Sequence, residues 1–152
     1  MKLEKIEVYM NMAKEVAKLS PDVETKVGAI MLSSEGRVIA TGYNGFARGA
    51  DDDSLPNKGI EKYDFMQHAE RNLIYNCAYE GIRTKDTTII STLSPCLHCV
   101  RAAHQSGIRT IIFDKLYRKF KDINVYLEMK DIWIDVEKIG DYTVLEISEV
   151  YS

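Results

Sequence analysis

Thr92-Leu93-Ser94-Pro95-Cys96-Leu97-His98-Cys99 (T-L-S-P-C-L-H-C) closes a β-branched run, Thr87 to Leu93, and opens a stretch with helical spacing. A strand feeding directly into a helix is the unit from which α/β folds are built. Ser94-Pro95 has the form of an N-cap followed by proline at the first helical position. It predicts a helix from Cys96 to about Gln105, stopped by Gly107. Cys96 and Cys99 then lie three apart on one helical face, near the positive end of the helix dipole, where thiolates are favoured.

By itself the C-x-x-C spacing reads equally as a metal site or a redox pair. The earlier triplet His68-Ala69-Glu70 shifts that balance. One histidine and two cysteinates supply three protein ligands and leave the fourth position of a tetrahedral zinc open, the catalytic rather than the structural pattern. Residues two apart in a regular helix point about 200° apart, so His68 and Glu70 serve one site only if His68 stands at the very start of its helix. The helical period of Ala69, Leu73, Ile74, Cys77 and Ala78 begins just after it and ends at Gly81. Glu70 is then available to carry protons. Cys77, on the apolar face, reads as core, His98 as solvent-exposed and His104 as structural.

Working outward, Leu3, Ile6, Met10, Ala13 and Ala17 recur at helical spacing and predict a first helix stopped at Ser20-Pro21. Lys26 to Leu32 and Arg37 to Tyr43 flank Ser33-Ser34-Glu35-Gly36 and read as a β-hairpin. From Asn44 to about Phe65 no period holds, and a loop of that length inside a compact domain is functional or disordered more often than not. Arg109 to Phe113 reads as a strand and Lys119 to Lys130 as a helix. Ile132 to Ile139 and Tyr142 to Ile147 flank the hairpin signal Gly140-Asp141. The order predicts an α/β sandwich with a mixed five-stranded sheet: an antiparallel first hairpin, parallel later strands through crossovers, and an extra strand at the C-terminal end.

The 152 residues suit one domain, 1–152. A formal net charge of -3 lacks the basic excess that polynucleotide binders use against phosphates. No apolar run is long enough to span a bilayer and the start does not resemble a signal peptide, so the expected address is cytoplasmic, with no membrane partner. Three cysteines do not suggest a disulfide framework.

H-x-E together with P-C-x-x-C is the zinc-deaminase signature, in which the glutamate is general acid/base and not a ligand. With K-V-G-A-I at Lys26 to Ile30, G-Y-N-G-F at Gly42 to Phe46, D-D-x-L-P at Asp52 to Pro56, K-Y-D-F-M-Q-H-A-E from Lys62 and Q-S-G-I at Gln105 to Ile108, the chain resembles the deoxycytidylate (dCMP) deaminase branch of the cytidine deaminase superfamily. The match runs from about Ser20 to Phe113. The resemblance implies a three-layer α/β/α cytidine-deaminase-like fold, catalytic zinc on His68, Cys96 and Cys99, and Glu70 as proton shuttle. It implies a base pocket lined by Val27 and Ala29 and closed near Pro95, and a sugar held by Asn44. The Ala69 backbone would read the pyrimidine O2, and the carbonyl near Ser94 the leaving amine. It further implies hydrolysis of dCMP to dUMP, which supplies dTMP synthesis, in a hexamer activated by dCTP and inhibited by dTTP. Magnesium would sit on the triphosphate, and Lys26, Gly42, Tyr43, Gly45, Phe46 and Asp52 would form the nucleotide-binding regulatory loop.

Two departures bear on that regulatory loop. The family usually has proline where this chain has Ala47, and lysine is common where Pro21 stands. For the 5′-phosphate, Arg48, Arg71, Lys115 and Arg118 are candidates by charge alone. Two other readings remain: a deaminase of another cytosine or adenine substrate on the same fold, and a non-catalytic zinc-stabilised module binding dCTP or dTTP. Glu70 speaks against the second, since a structural zinc site has no use for it.

Overall fold

In the computed structural model, which describes residues 1–115 and 132–149, β1 (Gly28–Leu32) is buried at all five positions. A strand buried on both faces requires covering layers above and below its sheet. β1 pairs antiparallel with β2 (Val38–Tyr43) on one side and with β3 (Thr88–Leu93) on the other. β3 runs parallel to β4 (Thr110–Lys115), and the hairpin of β5 (Ile132–Ile139) and β6 (Tyr142–Glu149) joins through β6. The order is β2-β1-β3-β4-β6-β5.

Strand alternation divides the core in two. Ile30, Leu32, Ile90, Ile112 and Val144 turn toward Ile6, Met10 and Ala13 of α1 (Leu3–Ala17). Ala29, Met31, Ile89, Ile111 and Phe113 turn the other way, onto Leu73 and Cys77 of α2 (Ala69–Glu80) and Val100 and Ala103 of α3 (Leu97–Gln105). The result is the three-layer arrangement that the resemblance implied, and no helix among the described residues is long and apolar enough to cross a membrane.

Several expectations need correcting. The hairpin read at Gly140-Asp141 forms, and both of its strands join the sheet, which has six strands among the described residues where five and an extra one were expected. Among the described residues, parallel pairing is confined to β3 and β4, the pair joined through α3; the two-residue turn at Gly140-Asp141 forces its strands antiparallel. α1 ends at Ala17, before Ser20-Pro21, because the Lys18, Leu19 and Ser20 N–H groups bond three residues back and tighten the last turn. Ala78 is exposed, since the buried face of α2 follows Ala69, Leu73 and Cys77. The helix expected over 119–130 lies outside the described residues.

Two glycines bring helices against the sheet. A Cβ on Gly28 would stand 2.1 Å from the Ala13 carbonyl oxygen of α1, and one on Gly42 would stand 2.6 Å from the Ala69 carbonyl oxygen of α2. The long segment after β2 carries a 3-10 helix, Ile60–Asp64, and closes on itself where Gly45 and Gln67 pair in an antiparallel bridge. That bridge delivers the chain to His68.

Because backbone cannot retreat as a side chain can, Gly28→Ala should lower unfolding stability by at least about 1–3 kcal/mol, read as a reduced urea midpoint with unchanged slope. An unchanged midpoint would contradict the close approach of α1.

Candidate metal centre

His68 is the N-cap of α2 (φ −66°, ψ 154°) and Cys96 the N-cap of α3 (φ −80°, ψ 171°). Such positions usually spend their side chain on a hydrogen bond to their own helix. Neither does here. Both chains are extended at the cap, so both side chains leave their helix axis and meet. His68 Nδ1 lies 3.4 Å from Cys96 Sγ and 3.5 Å from Cys99 Sγ, and the two sulfurs are 3.5 Å apart.

The extended His68 resolves the spacing problem posed by Glu70. The cap expected at Ser94-Pro95 stands two residues on, at Cys96, and the Ser94 N–H bonds the Lys115 carbonyl at 2.7 Å, which holds the segment beside β4. All three cysteines are free, and the sulfur separation is far beyond the ~2.05 Å of a disulfide. A tetrahedral zinc with bonds of ~2.3 Å to sulfur and ~2.0 Å to nitrogen spaces its ligand atoms roughly 3.5–3.8 Å apart. The triangle fits it. Among the described residues, this is the group of histidine, cysteine and carboxylate side chains gathered closely enough to hold a metal ion.

The electrostatics agree. The hydrogen bond from the Cys99 thiol pulls Cys96 down to about 3 against the cost of burial, with His68 adding to the pull. Cys99 is correspondingly held up, first by that same hydrogen bond and then by burial. His68 is raised, chiefly by its hydrogen bond to Cys96.

Glu70, the second residue of α2, is 3% exposed and faces the same space. Burial pushes its carboxyl up, and the Ser91 hydroxyl, 2.8 Å from Oε1, draws it partly back. A cleft of about 640 Å³, open mouth included, brings Glu70 together with His68 and Cys96, within the size range of small-molecule sites.

Of the residues nominated for substrate, Val27, Asn44, Ala69 and Ser94 line this cleft. Ala29 is fully buried in the core on the α2 and α3 side, and Pro95 is buried; neither lines the cleft. Asn44 is heavily engaged: Oδ1 accepts from Val27 N–H at 2.8 Å, while Nδ2 donates to the Thr25 carbonyl at 2.8 Å and to Asp22 at 3.2 Å. Of the nominated regulatory residues, Gly42 packs on α2, the Tyr43 carbonyl accepts from Asn72, Gly45 sits in the bridge to Gln67, and Phe46 is half-buried. Lys26 donates to the Ser20 carbonyl, and Asp52 is exposed.

Arg48 stacks on Tyr79 and donates to Asn76, and neither it nor Arg71 nor Lys115 lines the cleft. Arg118 lies outside the described residues. The lysine that does line it is Lys62, 6% exposed, with Nζ 2.9 Å from Asp22 Oδ2. Sequence reading passed over this pair. A lysine in an aperiodic loop reads as solvated; the available signal was Asp22 after Ser20-Pro21, a turn residue whose Oδ1 indeed accepts from the Glu24 and Thr25 N–H groups. Cys77 lies in the core, 3.6 Å from Met31 Sδ, and His98 is exposed beside Arg101, both as expected. His104 is half-buried on α3.

A family model described as the cytidine and deoxycytidylate deaminase zinc-binding region matches residues 3–115. A probable deoxycytidylate deaminase of Drosophila melanogaster is 35% identical over 125 residues, covering 75% of this chain and 60% of its own length. The deoxycytidylate deaminase of Homo sapiens is 36% identical over 117 residues, covering 73% and 65%. The chain thus spans less than two thirds of these curated relatives. Among solved structures, the dCMP deaminase of cyanophage S-TIM5 in complex with dCMP and dUMP superposes with a TM-score of 0.68 at 28% identity, covering 82% of this chain and 91% of that one.

Since ligation needs Cys99 as thiolate and His68 neutral, and both are held toward their protonated forms, zinc uptake near neutral pH should release protons. Titration calorimetry of metal-free protein in two buffers of different ionisation enthalpy reads this as a buffer-dependent heat. Identical heats in both buffers would contradict the assigned ligand states.

Proposed function

The chain belongs to the cytidine and deoxycytidylate deaminase zinc-binding family, and from that premise we propose that it hydrolyses dCMP to dUMP and ammonia. One observation carries the reading: the His68, Cys96 and Cys99 triangle meets a buried carboxylate, Glu70, at one cleft. A structural zinc site takes four protein ligands and has no use for a spare acid; a hydrolytic one takes three, keeps the fourth position open and needs the acid beside it.

In this reading His68, Cys96 and Cys99 hold zinc, which when bound supplies the Lewis acidity that makes hydroxide available near neutral pH. Glu70 takes up the proton that the attacking water gives up, and delivers it to N3 of the cytosine as C4 is attacked. A further transfer lets ammonia leave. Burial suits Glu70 to this traffic, because it raises the carboxyl from its ordinary range toward the working pH. Val27 packs against the base, the Ala69 N–H reads O2, and the Ser94 carbonyl receives the leaving amine. Asn44, with its amide already fixed by Asp22, Thr25 and Val27, presents its remaining acceptor capacity to the sugar.

The nucleotide level of the substrate is supported by the similarity to proteins named deoxycytidylate deaminases and to one solved with dCMP and dUMP. The proposal extends to a cytoplasmic hexamer, activated by dCTP and inhibited by dTTP with magnesium on the triphosphate, supplying dUMP for dTMP synthesis. Its support is the resemblance in Gly42 to Phe46 and in the acidic run Asp51-Asp52-Asp53.

The test is a deamination panel of dCMP, deoxycytidine, cytidine and adenosine, with and without dCTP and dTTP, run on the parent and on Glu70→Ala. The parent should favour dCMP and respond to both triphosphates. Glu70→Ala should keep its zinc while kcat falls by roughly 10²–10⁴-fold. Equal efficiency on dCMP and deoxycytidine would refute the nucleotide reading, and near-parental turnover by Glu70→Ala would refute the proton shuttle.

A further inference from the structure

Glu70 is backed by a group that the metal site does not itself require. Ser91, in the middle of β3, is fully buried, and its Oγ lies 2.8 Å from Glu70 Oε1 and 2.9 Å from the Leu93 carbonyl oxygen. Its neighbours on that face of the sheet are apolar: Ala29 pairs beside it on β1, Phe113 beside it on β4, and Ile89 precedes it on its own strand.

A serine hydroxyl has one proton and can accept as well as donate. It cannot donate to both of these oxygens at once. Facing an ionised Glu70, it donates to Oε1. Facing a protonated Glu70, it can turn its proton to the Leu93 carbonyl and accept from the carboxyl instead. The heavy atoms need not move between the two arrangements, because only the hydroxyl rotates. The reaction proposed above loads and unloads a proton on Glu70 in every turnover, and a partner with fixed polarity, such as a backbone N–H, would serve only one half of that cycle.

Resting on the deaminase reading, we propose that Ser91 is a positioning residue for Glu70: it pins Oε1 through both halves of the cycle and so keeps Oε2 directed at the reacting base. Ser91 touches neither substrate nor metal in this account. Its effect belongs to kcat and not to binding, since an unpinned carboxylate still leaves the cleft walls and the metal ligands in place. An apolar residue at this position would pack equally well against Ile89 and Phe113, but would leave Oε1 buried with no hydroxyl to meet it.

The experiment uses the zinc-loaded chain as parent, Ser91→Ala and Ser91→Thr, measuring kcat and KM on dCMP, dUMP affinity, zinc content and thermal melting. Ser91→Ala should lose roughly 10–100-fold in kcat, the range for a hydrogen bond to a charged group, with KM, dUMP affinity and zinc content each within about twofold of the parent. Ser91→Thr, which restores the hydroxyl, should return to within about fivefold of the parent kcat. The inference is overturned by a Ser91→Ala kcat close to the parent's, by a loss that falls on KM or dUMP affinity instead, or by zinc content that declines with activity. A Ser91→Thr that melts like the parent yet turns over as slowly as Ser91→Ala also overturns it. A parent that deaminates nothing in the panel overturns the deaminase reading itself, whereas the variant comparison bears only on Ser91.

Discussion

Everything at the cleft depends on two residues being held out of helical geometry one step before their helices begin. Had His68 or Cys96 been folded into the first turn, the 3.6-residue repeat would have carried its side chain around the axis and away from the other. Kept extended, each projects past the end of its own helix, and the three ligand atoms close to within 3.4–3.5 Å of one another. The same geometry leaves the first N–H groups of both helices directed at the site, where the positive end of a helix dipole favours thiolate. Glu70 and Cys99 then fall on the faces that turn inward.

What holds the caps extended is the sheet. The β3 strand ends at Leu93, and the Ser94 N–H bonds the Lys115 carbonyl at the end of β4, so the chain is still tied to its neighbour when it reaches Pro95. On the other side, the bridge between Gly45 and Gln67 fixes the residue just before His68. Gly42 lets α2 descend onto β2 at the turn that follows. The buried pair of Lys62 and Asp22 fastens the 3-10 helix to the segment before β1, and Asp22 in turn fixes Asn44. One side of a buried pair cannot be removed cheaply, since the other charge is left without compensation.

The residues that meet at the site stand out in the chain because their types and spacings have few other uses: His68, Cys96 and Cys99 come together, Glu70 joins His68 and Cys96 at the cleft, and His68 is extended as its spacing from Glu70 demands. The mixed α/β sandwich followed from the order of elements, and its three layers from the resemblance. What was not legible has physical reasons. Ser94-Pro95 carries cap chemistry, yet the Ser94 N–H is bonded to the Lys115 carbonyl beside β4, and the cap stands two residues on, at Cys96. Lys62 meets Asp22 across 40 residues of chain, a separation over which local pattern carries no information. Ser91 sits in a run of β-branched residues that reads as strand and says nothing about a hydroxyl facing Glu70. Ala29 was assigned to the base pocket by resemblance, whereas the alternation of β1 turns it into the core. The Gly140-Asp141 hairpin was read correctly, but only tertiary pairing shows that both its strands join the sheet.

The central claim is that two helix caps and one residue of the first turn bring one nitrogen and two sulfurs to a single zinc ion. X-ray absorption at the zinc edge of the purified protein reads that ligand set directly. Zinc held by His68, Cys96 and Cys99 gives two sulfur scatterers at ~2.3 Å and two lighter nitrogen or oxygen scatterers at ~2.0 Å, an imidazole among them. Four sulfur scatterers, or protein that carries no zinc and has Cys96 and Cys99 joined as a disulfide, would contradict it.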